Sequence, residues 1–213
     1  DIGGQIDAKA TLTGTLKKPV FEATADIRKG IYEFGTTGMR LTDLSLDAAY
    51  KDLQLAIDGK ANGADGGSTK FSGTLSRNKN DLGVSFTNLL LYNRDGDTLR
   101  AGGEISLTGD ETSRDVEGRI NIQNARFSLD NLPSSRPQAI NVRWVEDASK
   151  PEGESKLRQS LSLNLQIDAG RRVFLWGRGL ESEWGLDLKL TGTPASPRLN
   201  GEATLRWGTL DLA

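Results

Sequence analysis

The chain of 213 residues contains no histidine and no cysteine. Without cysteine there is no disulfide, and without imidazole or thiolate the usual donors of a zinc site are missing. A serine or cysteine nucleophile with a histidine base is excluded for the same reason. Aromatic residues are scarce at 6%, thin for the two aromatic girdles of a transmembrane barrel. No run of 18 apolar residues occurs, so no segment reads as a membrane-spanning helix, and no secretory leader pattern is visible. Net charge is small: 27 basic against 29 acidic residues, or -2. That balance suggests neither nucleic-acid binding nor electrostatic attachment to anionic lipid. The apolar fraction of 36% is low, although 25 glycines account for part of the difference.

What is abundant is alternation. Leu44, Leu46, Ala48 and Tyr50 alternate with polar residues, as do Leu53, Leu55 and Ile57. Leu82, Val84 and Phe86 follow, then Leu99, Ala101, Gly103, Ile105 and Leu107. Ile140, Val142 and Trp144 continue the pattern, then Leu161, Leu163, Leu165 and Ile167, and finally Trp184, Leu186, Leu188 and Leu190. A period of two means strands with one apolar and one polar face. Turn-forming clusters at "NGADGG" (62–67), "RNKND" (77–81) and "NRDGD" (93–97) separate them. At ordinary strand lengths this reads as roughly sixteen strands. One-sided strands point to a mostly antiparallel sheet, since parallel sheets buried on both faces show continuous apolar runs.

Three windows share one frame: Leu12-Thr13-Gly14, Leu107-Thr108-Gly109 and Leu190-Thr191-Gly192 each open it. An alternating strand follows, then a corner at Gly30, Ala125 or Gly208 and a further short strand. Pro19 and Pro197 fall just after a turn, where a missing N–H costs no ladder bond. Small residues recur mid-strand on the apolar side: Ala23, Ala25, Gly118, Gly201 and Ala203. A filled core takes larger side chains, so these leave room for an opposing wall or a guest.

The stretch 173–213 carries "GRGL" at 177–180, "LTGT" leading to Pro197, and a closing "GEATLRWGTLDL" at 201–212. These features resemble the C-terminal domain of the TamB family, the translocation and assembly module of Gram-negative bacteria. The resemblance implies an all-β, elongated, curled, mostly antiparallel sheet, a β-taco with a hydrophobic concave groove. It implies a periplasmic protein anchored in the inner membrane by an N-terminal segment absent here, with a TamA-like outer-membrane barrel protein as partner. It also implies membership of the AsmA-like, bridge-type lipid carriers, and hence phospholipid movement between the membranes. On this reading residues 1–213 are one β-rich segment of a longer protein, with a mobile loop at about 147–159 and a further stretch beyond the last residue.

The expected groove lining is Phe21, Ile27, Leu44, Leu46, Leu55, Ile57, Val84, Phe86, Ile105, Leu107, Ile120, Ile122, Val142, Leu163, Leu165, Leu186, Leu188 and Leu205. Its cargo would be phospholipid acyl chains or nascent outer-membrane strands, with no cofactor and no nucleic acid. The alternatives are a chaperone groove for nascent strands without lipid transport, and a closed structural β domain of an adhesin. An enzyme is disfavoured: with no histidine and no clustered carboxylates there is no acid/base pair to assign. Asp95 and Asp97 lack the remaining ligands of a calcium loop and read as a turn. Arg171, Arg172 and Arg178 flank an apolar run, where they solvate a strand end or hold a phosphate at the rim. Val173 to Trp176 are apolar on both faces, which suggests a strand covered on both sides. Trp144, Trp184 and Trp207 read as wall residues.

Overall fold

The computed structural model describes residues 2–131 and 161–211. They form one sheet of eleven strands: β1 (Ile2–Thr15), β2 (Lys18–Phe34), β3 (Met39–Lys51), β4 (Gln54–Gly63), β5 (Ser68–Ser76), β6 (Asn80–Arg94), β7 (Asp97–Gly109), β8 (Arg114–Ser128), β9 (Leu161–Gly177), β10 (Leu180–Thr193) and β11 (Ser196–Leu210). Spatial order follows chain order from β1 to β11. Every pairing is an antiparallel hairpin except β8 with β9, which is parallel. The sheet does not close on itself, so β1 and β11 are its edges.

Among the described residues the strands are fewer and longer than the alternation suggests: eleven of 9 to 17 residues. The sheet is therefore about 50 Å across the strands and roughly 30–56 Å along them. The corners in the three repeated windows explain the difference. They are β-bulges within continuous strands, at which an extra residue is accommodated while pairing resumes beyond it. Register shifts fall between Ile27 and Gly30 in β2, Thr42 and Ser45 in β3, and Phe86 and Leu89 in β6. They recur near Ile122 in β8, between Ala169 and Val173 in β9, and opposite Trp184 in β11. Lys29, Asp43, Asn88 and Arg172, all with positive φ, sit at four of them. Each window is one hairpin whose second strand carries a bulge.

These bulges lie at a similar height in neighbouring strands, so together they crease the sheet. The β4–β5 hairpin ends just beyond this height, β4 stopping at Gly63 and β5 starting at Ser68. Above their short hairpin the longer β3 and β6 converge. The β2–β3 turn is strapped to the end of β6: Asn93 N–H donates to Thr37 O at 2.8 Å, and Arg94 donates from Nη1 to Gly35 O. All the buried hydrophobic residues lie at or above the crease. Leu41, Ala61, Phe86, Leu89 and Ala101 form one cluster, and Ala125, Ala169 and Val173 another.

Candidate apolar trough

Directly paired residues point to the same side of a sheet, so the register shows which side chains share a face. Ile27 pairs Leu46, which pairs Gly59, which pairs Phe71 and then Val84. Val84 pairs Ile105, then Gly118, Leu165, Leu190 and Leu199. A parallel row runs Leu55, Leu75 and Tyr50, and another runs Phe86, Gly103, Ile120, Ile167, Leu188 and Gly201. Phe21, Leu44, Ile57, Leu107, Ile122, Leu163, Leu186 and Leu205 occupy the same face. Seventeen of the eighteen residues expected to line a groove thus come together on one continuous face. Val142 lies outside the described residues, as do Trp144 and the loop expected at about 147–159.

This face is half-buried. From β4 to β10 most apolar positions are of intermediate exposure, and most of their polar neighbours are exposed. No large side chain among the described residues is fully buried. Val84 remains 38% exposed and Phe21 49%, in the middle of the sheet and near one end of it. The small residues do leave room: Ala8, Ala10, Ala23, Ala25 and Ala48, with Tyr50 and Leu55, line an apolar hollow of about 270 Å³. Across the sheet, glycines stand opposite large side chains. A Cβ at Gly59 would lie 2.4 Å from the Phe71 ring. Gly103 (φ +158°) pairs with both Phe86 and Ile120, and a Cβ there would lie 2.2 Å from Arg119 O.

The other face is polar and also hollowed, as a strongly twisted sheet can be on both sides. Asp58, Lys60, Lys70, Ser85, Glu104, Glu117, Arg119 and Gln166 line a shallow depression of about 1000 Å³ that the sequence pattern does not reveal. The register also builds a carboxylate row where the sequence shows no cluster. Asp7 pairs Asp26, Asp26 pairs Asp47, and Asp47 pairs Asp58. Like charges directly opposite one another are unfavourable, and Arg28 relieves the middle pair by bonding both Asp26 and Asp47. The hydrogen bond to Asp47 raises the pKa of Asp26. Asp47 is lowered, chiefly by the Arg28 hydrogen bond and then by that to Asp26.

Other residues marked by the sequence find plainer places. The three polar clusters at 62–67, 77–81 and 93–97 are hairpin turns. Asp97 is buried and accepts the Ser128 N–H at 2.7 Å, a role in joining β7 to β8. Leu53 is not part of the apolar alternation: it sits in the β3–β4 turn with φ +61° and is 76% exposed. Arg172 occupies a bulge, its N–H bonded to Glu183 Oε1. Arg178 pairs with Asp130 at 3.6 Å. Val173 and Leu175 face the apolar side, whereas Phe174 and Trp176 face the polar side. Trp184 is an apolar-face residue whose Nε1 donates to Ser182 Oγ. Trp207 is not: the register shift in β11 sets it opposite Glu183, on the polar face.

Together these features define an all-β protein built as an open, curled, mostly antiparallel sheet with one continuous apolar face, distinct from a closed barrel or sandwich. The TamB C-terminal domain model matches residues 58–213, and the chain belongs to that family. No curated relative and no solved structure matches the chain.

Proposed function

We propose that the apolar face is a periplasm-spanning groove that carries phospholipid between the inner and outer membranes. With a TamA-like barrel protein as partner, it supports outer-membrane protein assembly and secretion. The observation that carries this reading is the continuous apolar face, shared by all eleven strands and left half-exposed. Burying a methylene is worth roughly 0.8 kcal/mol, so an acyl chain gains by leaving water for such a surface. The contacts are non-directional, so the chain can slide from row to row with little change in free energy. No acid, base or nucleophile is needed for this, consistent with a transport and assembly component rather than an enzyme. An inner-membrane anchor outside residues 1–213 completes the reading.

A second reading draws on the sheet edges. Every described side chain of β1 and β11 is exposed, and a free edge can take an incoming strand by β-augmentation. That suits a chaperone for nascent outer-membrane strands. The half-exposed apolar face counts against a closed structural domain, which would fill its core.

Site-specific photocrosslinking of the full-length protein in Gram-negative cells tests both. Photoreactive residues at Leu46, Ile105, Ile122, Leu163 and Leu188 probe the apolar face, with Thr42, Asp187 and Lys189 as polar-face controls. Phospholipid adducts at the first set and none at the controls are the expected result. Adducts to protein alone would favour the strand chaperone, and inert apolar positions would remove the groove.

A further inference from the structure

The polar face carries an aromatic feature where β8 to β11 run above the crease. Phe174, Trp176 and Trp207 stand there on a surface otherwise made of charged, hydroxyl and amide side chains, Trp176 41% and Trp207 53% exposed. With Arg126 and Glu181 they line a hollow of about 420 Å³, within the roughly 300–1,000 Å³ typical of small-molecule sites.

Two bulges build it. Simple alternation from Leu205 would send Trp207 to the apolar face, but the extra residue in β11 turns it over, opposite Glu183. In β8, Ile122 pairs Ala101 and Asn124 pairs Arg100, leaving Gln123 as the extra residue. That shift moves Arg126 off the apolar face and sets it beside Phe174. Bulges commonly re-aim side chains at functional sites, and here two on different strands converge on one hollow.

The charges complete the pattern. Neighbouring groups are engaged: Glu183 accepts the Arg172 N–H, and Arg178 pairs with Asp130. The side chains of Arg126 and Glu181 make no hydrogen bond or ion pair among the described residues, yet both border the hollow, two strands apart. A guanidinium presents a fork of donors suited to a phosphate. Indole faces beside a carboxylate suit an ammonium group, through cation–π attraction and charge.

We propose that this hollow binds a zwitterionic phosphate–ammonium group, with the phosphate at Arg126 and the ammonium over Trp176 and Trp207 near Glu181. A phosphoethanolamine lipid headgroup and its free soluble form share that chemistry. The site lies on the face opposite the trough and does not depend on the trough's function.

Titration calorimetry of the 213-residue chain with glycerophosphoethanolamine tests the proposal. Saturable binding is expected, weakened roughly tenfold or more by Arg126→Gln and by Glu181→Gln separately. Inorganic phosphate and ethylamine, each matching one end, should bind at least about tenfold more weakly than the intact zwitterion. Circular dichroism of the two exposed-face variants confirms that they fold, and Leu188→Ser in the trough should leave binding unchanged. Co-sedimentation with phosphatidylethanolamine vesicles, against phosphatidylglycerol vesicles, separates the sources. Retention lost in the same two variants assigns the lipid headgroup, and soluble binding without retention assigns the free compound. Absence of saturable binding to glycerophosphoethanolamine, or binding untouched by both substitutions, overturns the site, whatever the trough is found to carry.

Discussion

At the residue scale, close strand approach and charge rows impose the sharpest constraints. Gly103 faces Arg119 O across the β7–β8 ladder with φ +158°, where a Cβ would lie 2.2 Å from that oxygen. Gly103→Ala should therefore cost more than about 1 kcal/mol of stability in urea denaturation, although the site lies on a half-exposed face. Small residues along the apolar alternation were readable in the sequence. Which of them touch backbone was not, because that depends on the register of the next strand. The aspartate row shows the same limit, since its four members come from four strands and only pairing lines them up. Asp26 and Asp47 should respond oppositely to substitution near neutral pH. Asp47→Asn removes the main anchor of Arg28 and should lower the melting temperature. Asp26→Asn removes a charge repelled by two facing carboxylates and should leave it unchanged or raise it. The pH dependence follows from the signs. Asp26, raised above 3.8, holds its proton more tightly when folded. Its contribution is present below that ordinary value and is lost as pH rises through the folded one. Asp47, lowered from 3.8, contributes above that value and loses its contribution as pH falls through the folded one. Melting curves of Asp26→Asn should accordingly show less loss of stability on raising the pH from the ordinary aspartate range upward. An unchanged pH profile would remove the coupling.

At the scale of elements, the alternation identified strands and their apolar sides, and the Gly/Asn/Asp clusters placed the turns. It failed where strands continue through bulges: a corner at Gly30 or Ala125 has the composition of a turn, and only pairing beyond it shows that the strand persists. The same ambiguity put Trp207 on the wrong face and divided eleven strands into more. The bulges also partition stability. Leu89, at 4% exposure, belongs to the cluster held by the convergence of β3 and β6, whereas Leu163 lies on the half-buried part of the sheet. Leu89→Ala should cost about 3–5 kcal/mol and Leu163→Ala about half as much, since a site open to solvent leaves little cavity. The strap makes a matching claim about exchange. The Asn93 amide, donating to Thr37 O across the convergence, should exchange far more slowly than the amides of Asp95 and Gly96 in the adjoining turn. Equal rates by hydrogen exchange would mean that the strap opens freely.

At the scale of the whole molecule, one apolar face runs across eleven strands, buried in two clusters at and above the crease and half-exposed or exposed elsewhere. A closed sandwich of the same composition would hide its apolar residues, and a discrete pocket would offer room for one short chain segment. The proposed trough differs from both in how affinity should grow with ligand length. Full burial of a methylene is worth roughly 0.8 kcal/mol, about a fourfold gain in affinity, and a surface that covers half of it gives about twofold. Saturated fatty acids of increasing length, competing against a fluorescent fatty acid for the folded chain, should therefore gain about two- to fourfold per added methylene, without a plateau, from ten to eighteen carbons. A plateau partway through the series would place binding in the 270 Å³ alanine-lined hollow alone. A lysine introduced at Ile105, in the middle of the face, separates these outcomes further. In a continuous trough Ile105→Lys obstructs long chains more than short ones and flattens the length dependence. If only the alanine-lined hollow beneath β1 to β4 is used, the substitution changes nothing, because Ile105 is on β7.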